Sequence, residues 1–243
     1  MRSSDLAFAF LLAFAAVWLT PSVAEAQPLL DSEALGGAPL LGVLLLVLVP
    51  VLLVLGSAFV KVSVVLGILR NALGAQDVPS PLVITALSML IAVLVMIPVV
   101  SPVLTTLSEV EEPVTLENAE SQWQAAAAPL VGFLERNSSE QSRTRFVEVI
   151  SKLDPQATTP VAENDLRVLL PSFVATELTE AFLIGFLILL PFLVLDIVVT
   201  AITQAAGLSA LQPNMVSLPL KLILFVSING WQLLLEGLML GYS

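Results

Sequence analysis

Two pairs of long apolar stretches flank one polar, acidic stretch along this chain. From Ala34 to Val60 no residue is charged; Lys61 interrupts, and apolar residues continue to Leu69 before Arg70. A second uncharged run covers 78–108. The pattern predicts helices over about 40–69 and 81–104, each long enough to cross a bilayer, which takes about 20 predominantly apolar residues. Gly74, Pro79 and Pro81 between them stop one helix and start the next, making a hairpin. A third helix is expected from near Thr179, after Pro171, through Asp196 to about Thr203. A fourth should begin near Ser217, with Pro219 in its first turn, and end near Leu240. The uncharged, turn-rich link 204–214 makes these two a second hairpin.

The N-terminus has its own pattern. Arg2 precedes an apolar stretch from Leu6 to Leu19, followed by Pro21 and by Ala24-Glu25-Ala26. A basic start, a short apolar core and a small-x-small end mark a cleavable secretory signal, with the cut after Ala26. The alternative, a retained membrane helix, is disfavoured because the core is shorter than a span requires. The expected organisation is a signal peptide over 1–26, an N-terminal stretch with the first hairpin over 27–104, an acidic insert over 105–176, and the second hairpin over 177–243. The fold class that follows is all-α: a membrane-associated protein of two long kinked helical hairpins with a small helical acidic periplasmic insert.

Composition narrows the chemistry. Of 243 residues, 57% are apolar and only 12% charged. Ordinary soluble domains carry about 25% charged residues, so this chain lacks a water-compatible coat. The net charge of −11 leaves no basic footprint for nucleic acid. With no Cys and no His, thiolate metal sites, Ser-His-Asp triads and histidine switches are excluded. No phosphate loop or dinucleotide fingerprint occurs. No catalytic residue, cofactor site or metal site is assigned, and no enzyme is expected.

The acidity is concentrated. Thirteen acidic and five basic residues lie between Thr105 and Glu180, so −8 of the −11 belongs to that stretch. Phe146, Val149, Ile150 and Leu153 recur at helical spacing within it, which predicts two or three short helices. Lys61 and Arg70 flank the first hairpin tip; by the positive-inside tendency both tips face the cytoplasm, while insert and C-terminus face out.

Charges within apolar helices need a partner or a task, since each costs roughly 2.5–3.5 kcal/mol at mid-depth. Lys61, Asp196, Lys221 and Glu236 are such residues. Asp196 late in the third helix and Lys221 early in the fourth fall near the same end of a hairpin, so they are expected to pair. Glu236 is too far along the fourth helix to reach Lys221, about 22 Å at 1.5 Å per residue. These charges read first as architectural. Pro50, Pro98, Pro102, Pro191 and Pro219 predict kinked, closely packed helices, with Gly185 and Gly207 as close-packing positions.

Three stretches are more specific. Ser57-Ala58-Phe59-Val60-Lys61 leading to Leu69-Arg70-Asn71-Ala72-Leu73-Gly74 resembles a signature of the FliP/SctR family, the bacterial type III export-gate membrane proteins of the flagellum and the injectisome. Leu169-Leu170-Pro171-Ser172-Phe173 with Glu177, Ala181-Phe182-Leu183-Ile184-Gly185-Phe186 and Pro191-Phe192-Leu193-Val194-Leu195-Asp196 is similar to a second. Gln212-Pro213-Asn214-Met215-Val216-Ser217-Leu218-Pro219-Leu220-Lys221-Leu222 and Asn229-Gly230-Trp231 resemble a third. The resemblance implies a non-enzymatic core subunit of the export gate. Five copies would assemble with small two-helix subunits and one larger partner into a closed helical conduit. Unfolded secretion substrates would cross the inner membrane through it, and the assembly would stand largely above the membrane plane. Arg70 and Glu177, inside these motifs, join Lys61, Asp196, Lys221 and Glu236 as buried-charge and assembly candidates.

Two departures from the family pattern stand out. A row of methionines usually rings the narrowest part of the pore; here Leu208, Ser209 and Ala210 occupy those positions, and Leu211 or Met215 is a further constriction candidate. Asn229 stands where the family commonly has Asp. The 75–79 segment and the Gly241-Tyr242-Ser243 end favour the injectisome branch, while a cleavable signal is more usual in the flagellar one. From the hairpins alone, a small multi-pass secondary transporter or ion-channel subunit remains the competing reading, although the hairpins share no repeat.

Overall fold

The computed structural model describes residues 51–75, 78–108, 119–153, 155, 160–207 and 212–242. The signal peptide and the first part of the predicted first helix lie outside these residues, as do the constriction candidates Leu208, Ser209, Ala210 and Leu211. The described residues form α1 (Phe59–Leu73), α2 (Pro81–Ser108), α3 (Ala119–Arg136), α4 (Glu140–Leu153), α5 (Leu166–Ala205), α6 (Pro213–Ser227) and α7 (Gly230–Leu240). The fold is all-helical, as the apolar pattern predicts.

Residues 51–55 are helical, but the first predicted helix does not run through unbroken; it pauses at Gly56–Ala58 before α1. There the Ser57 hydroxyl accepts the Phe59 N–H at 3.3 Å and donates to the Val54 carbonyl at 2.9 Å, competing with the helical ladder. α1 buries Lys61, Val62, Val65, Leu66, Leu69, Ala72 and Leu73, one stripe at three- and four-residue spacing. It ends at Gly74 in the left-handed region, φ 70°, where the Gly74 N–H bonds the Asn71 carbonyl. Glycine carries no Cβ to oppose that conformation.

α5 departs furthest from expectation. It begins at Leu166, not near Thr179, and continues for 40 residues through Pro171 and Pro191. Pro171 does not end it, although the proline removes one N–H from the helical ladder near the start of α5. The Asp165 carboxylate caps the start by accepting the Arg167 N–H at 2.8 Å. At 1.5 Å per residue α5 is about 60 Å long, twice the roughly 30 Å of a bilayer's hydrocarbon. One continuous helix therefore joins the polar insert to the apolar half of the chain.

The last predicted helix is also divided. Pro213, not Pro219, takes the first-turn position of α6, and Pro219 lies inside the helix. α6 and α7 meet at a bend of 59°. Asn229 at the bend is left-handed, φ 51°. Asn and Asp both tolerate that region, so the Asn229 departure keeps the turn. Gly230 seats against the Phe225 ring, which a Cβ there would meet at 2.3 Å.

Two cores result. The larger gathers Val62, Leu66 and Leu69 of α1 with Ile91, Ala181, Phe192, Phe225 and Leu238. The second joins Met96 and Val99 of α2 to Phe133 and Leu134 of α3 and to Leu169 and Phe173 of α5. The insert helices thus pack directly on the long apolar helices. α4 is less embedded: no residue of it is fully buried, and Leu153 is 78% exposed. Gly185 is a close-packing position, since a Cβ there would lie 2.3 Å from Ile68 Cδ1. Gly207 is not; nothing lies within 4 Å, and its φ of 72° marks a turn.

Two helices, Pro81–Thr105 and Leu166–Ala205, are long and apolar enough to cross a membrane, or three if the bent α6–α7 pair counts as one span.

Candidate functional site

Of the charges that the sequence places within apolar stretches, Lys61, Asp196 and Lys221 fall into two clusters along the α1–α5 contact. Lys61 lies level with Glu177 and Ile68 with Gly185, so α1 and α5 run parallel.

In the first cluster Lys61 Nζ sits 2.9 Å from Glu177 Oε1 and 2.7 Å from Glu180 Oε2. Glu177 and Glu180 are three residues apart and share a helix face, so one ammonium serves both. The Glu177 side chain is 0% exposed against 51% for Glu180. A buried carboxylate is tolerable only when paired and hydrogen-bonded. The Tyr242 hydroxyl supplies a further bond to Glu177 Oε2. The Tyr242 ring stacks on Phe133 with centroids 5.9 Å apart, and Lys61 Nζ lies 4.3 Å from its centroid. Four segments meet here: α1, α3, α5 and the residues after α7.

Thr176, next to Glu177, fixes the insert. Its hydroxyl accepts the Ser139 N–H at 3.0 Å and donates to the Ser172 carbonyl at 2.8 Å. Arg143 of α4 donates to the Ser138 carbonyl at 2.8 Å and to the Glu135 carbonyl at 3.0 Å, closing the end of α3.

The second cluster lies about 28 Å further along α5, reckoned from Glu177 to Asp196 at 1.5 Å per residue. Asp196 and Lys221 pair at 2.6 Å. The ammonium also donates to the Ala72 carbonyl at 3.2 Å. That carbonyl is one of the last of α1, where the helix dipole is negative, so Lys221 caps α1 as well as neutralising Asp196. Gly74 lies beside it: a Cβ there would sit 3.8 Å from Lys221 Nζ. Arg70 is half-buried in the last turn of the same helix.

The remaining candidates lie apart. Glu236 is exposed rather than buried and accepts a hydrogen bond from Gln232 Nε2 at 2.8 Å, one turn earlier on α7. Polar residues four apart on one helix face satisfy each other locally, so this carboxylate needs no interhelical partner. Met215, in the first turn of α6, is 71% exposed.

Sequence reasoning missed two contributors. Glu180 was legible as the second acid on the face of Glu177. Tyr242, the single tyrosine of the chain, carries no periodic signal, and its partners come from three other segments.

The chain matches known proteins over most of its length. The FliP family profile fits residues 42–238. The chain is 39% identical over 201 residues to the Yop proteins translocation protein R of Yersinia pestis, covering 82% of this chain and 93% of that protein. It is 36% identical over 210 residues to the virulence protein YscR of Salmonella typhimurium, covering 84% and 96%. Against the harpin secretion protein HrcR of Erwinia amylovora it is 35% identical over 197 residues, covering 80% and 91%.

Proposed function

Since the chain belongs to the FliP family, we propose that it is a core subunit of a type III protein export gate. With further copies, small two-helix subunits and one larger partner it forms a closed helical conduit. Through this, unfolded secreted proteins cross the bacterial inner membrane. Its role is structural, not catalytic.

The supporting observation is the asymmetry of α5. One face is tied inside the chain by the Lys61 and Lys221 clusters. The opposite face presents Phe182, Leu183, Phe186, Leu187, Ile197 and Ile202 uncovered. Large contiguous apolar faces on a folded chain are covered in use by other chains or by lipid. The internal clamps hold each protomer rigid, and the outward faces serve the assembly. Leu208, Ser209, Ala210, Leu211 and Met215 are the proposed pore constriction. The insert faces the periplasm, and the first tip, with Arg70 in the last turn before it, faces the cytoplasm. The names of the relatives, which speak of Yop and harpin translocation and secretion, favour the injectisome branch over the flagellar one.

The test is co-expression with the partner subunits, mild detergent extraction and mass measurement of the complex. The expected species contains several copies of this chain, and its removal from the cell abolishes secretion. A chain that stays strictly monomeric beside its partners overturns the reading. Selective small-solute flux by the chain alone would replace it with a transporter.

A further inference from the structure

The outward face of α5 continues a seam that the chain itself uses once. Leu169 and Phe173 lie in the second core against Phe133 and Leu134 of α3, with the Phe173 and Phe133 ring centroids 5.6 Å apart. Thr176, the next position, accepts the Ser139 N–H at 3.0 Å. The same alternation of three- and four-residue steps then runs on through Glu180, Leu183, Leu187, Leu190, Val194 and Ile197, all of them exposed. Such a period is how one helix receives another along its length, in water or in a bilayer. The insert covers the first part of the seam with a helix; the rest is uncovered within the chain.

Length and charge specify what completes it. Ala201, the last apolar position of the series, is 21 positions beyond Glu180, or about 32 Å at 1.5 Å per residue. That is close to the roughly 30 Å of bilayer hydrocarbon, the reach of one membrane-crossing helix. Glu177 and Glu180 share one ammonium, at 2.9 and 2.7 Å, so the Lys61 cluster carries one net negative charge. Glu180, half exposed, is its member on the seam. A partner that covers the seam takes Glu180 out of water and must bring a cation to it, because an uncompensated charge in an interface is strongly unfavourable. Hydrocarbon supplies none. Nor do the apolar helices of a second copy, whose Lys61 and Lys221 are buried in the same two clusters and whose Arg70 is engaged within the chain.

We propose that the Glu180–Ala201 face of α5 receives an apolar helix of a different chain, about 20 residues long, whose Lys or Arg at the insert end pairs with Glu180. The identity of that chain as a gate subunit rests on the reading above; the affinity of the face for such a helix does not.

The probe is a Leu/Ala peptide of about 20 residues with blocked ends and one lysine in its first turn; its control has glutamine there. Each is reconstituted with the purified full chain in phosphatidylcholine vesicles. Association is read by energy transfer from a dye on Gln141→Cys, since the chain has no cysteine of its own. The lysine peptide should bind the chain about tenfold more tightly than the glutamine peptide, as one desolvated ion pair implies. Glu180→Gln should abolish that preference, and Glu236→Gln, which removes the exposed carboxylate of α7, should leave it unchanged. Equal binding of the two peptides, or a preference that survives Glu180→Gln, overturns the proposal.

A second measurement uses the complex co-expressed with the partner subunits and extracted in mild detergent. Glu180→Gln should lower the yield of at least one partner chain about tenfold, while the unfolding midpoint of the isolated chain moves by no more than about 4 °C. A full complement of partner chains with Glu180→Gln overturns the docking and leaves the export-gate reading standing. A wild-type chain that assembles with nothing overturns that reading, and the peptide preference then decides the face alone. A complex of this chain only, dissociated by Glu180→Gln, gives the seam to a second copy and overturns the proposal.

Discussion

Lys221 reaches Asp196 at 2.6 Å and, with the same ammonium, holds the Ala72 carbonyl at the end of α1. One side chain therefore ties α6 to α5 and caps a helix that ends 148 positions earlier, at Leu73. The two partners are not equivalent: the Lys221 side chain is nearly buried, whereas that of Asp196 is one-third exposed.

That inequality predicts unequal mutants. Lys221→Met strands Asp196 and the α1 terminus together and should destabilise the protein by about 3–5 kcal/mol. Asp196→Asn leaves the cap in place and should cost about 1 kcal/mol. Thermal unfolding in detergent checks both. Assembly with partner subunits should fail for Lys221→Met before any selective loss of transport appears; equal losses for both variants would remove the capping role.

The first cluster carries a similar contrast. Glu177→Ala leaves a cavity and an under-satisfied Lys61 and should cost about 3–5 kcal/mol. Glu180 is half exposed, so Glu180→Gln should cost about 1 kcal/mol or less. A double-mutant cycle between Lys61 and each acid, read by the unfolding midpoint, should show the larger coupling to Glu177.

The close approach of α1 and α5 is tested at Gly185. Gly185→Ala drives a Cβ into Ile68 and should destabilise by about 1–3 kcal/mol. Because the obstructing atoms are all in the Ile68 side chain, Ile68→Ala in the same chain should recover most of the loss. Failure of that rescue would place the strain elsewhere.

Asp165 gives a pH signature outside the apolar segments. The Arg167 side chain, ahead of the Arg167 backbone N–H, holds its carboxyl below the usual range. The lowered folded-state pKa means a contribution to stability that is present above the unfolded value, about 3.9, and lost as pH falls through the folded one. Asp165→Ala should cost about 0.5–2 kcal/mol at neutral pH as a lost helix cap. Unfolding curves of the two proteins should converge as the medium is acidified below the unfolded value.

Much of this organisation was legible along the chain. α2 follows its uncharged run from Pro81. The meeting of Asp196 and Lys221 follows from their places near one end of successive helices. Boundaries were less legible where one residue type has two outcomes. Pro171 reads as a stop, yet α5 runs through it. The apolar run 217–240 reads as one helix, yet it bends where Asn229 turns left-handed and Gly230 admits the Phe225 ring.

The sequence alone determined the helical class, the placing of −8 of the charge between Thr105 and Glu180, and the motifs that identify the family. These are local quantities: hydropathy, spacing and residue order. Only the tertiary structure decided which carboxylate is buried, that Lys61 answers to Glu177, and that Tyr242 returns to close over both. Such assignments depend on which faces of distant helices meet. The close approach of α1 and α5 at Gly185 is one such meeting.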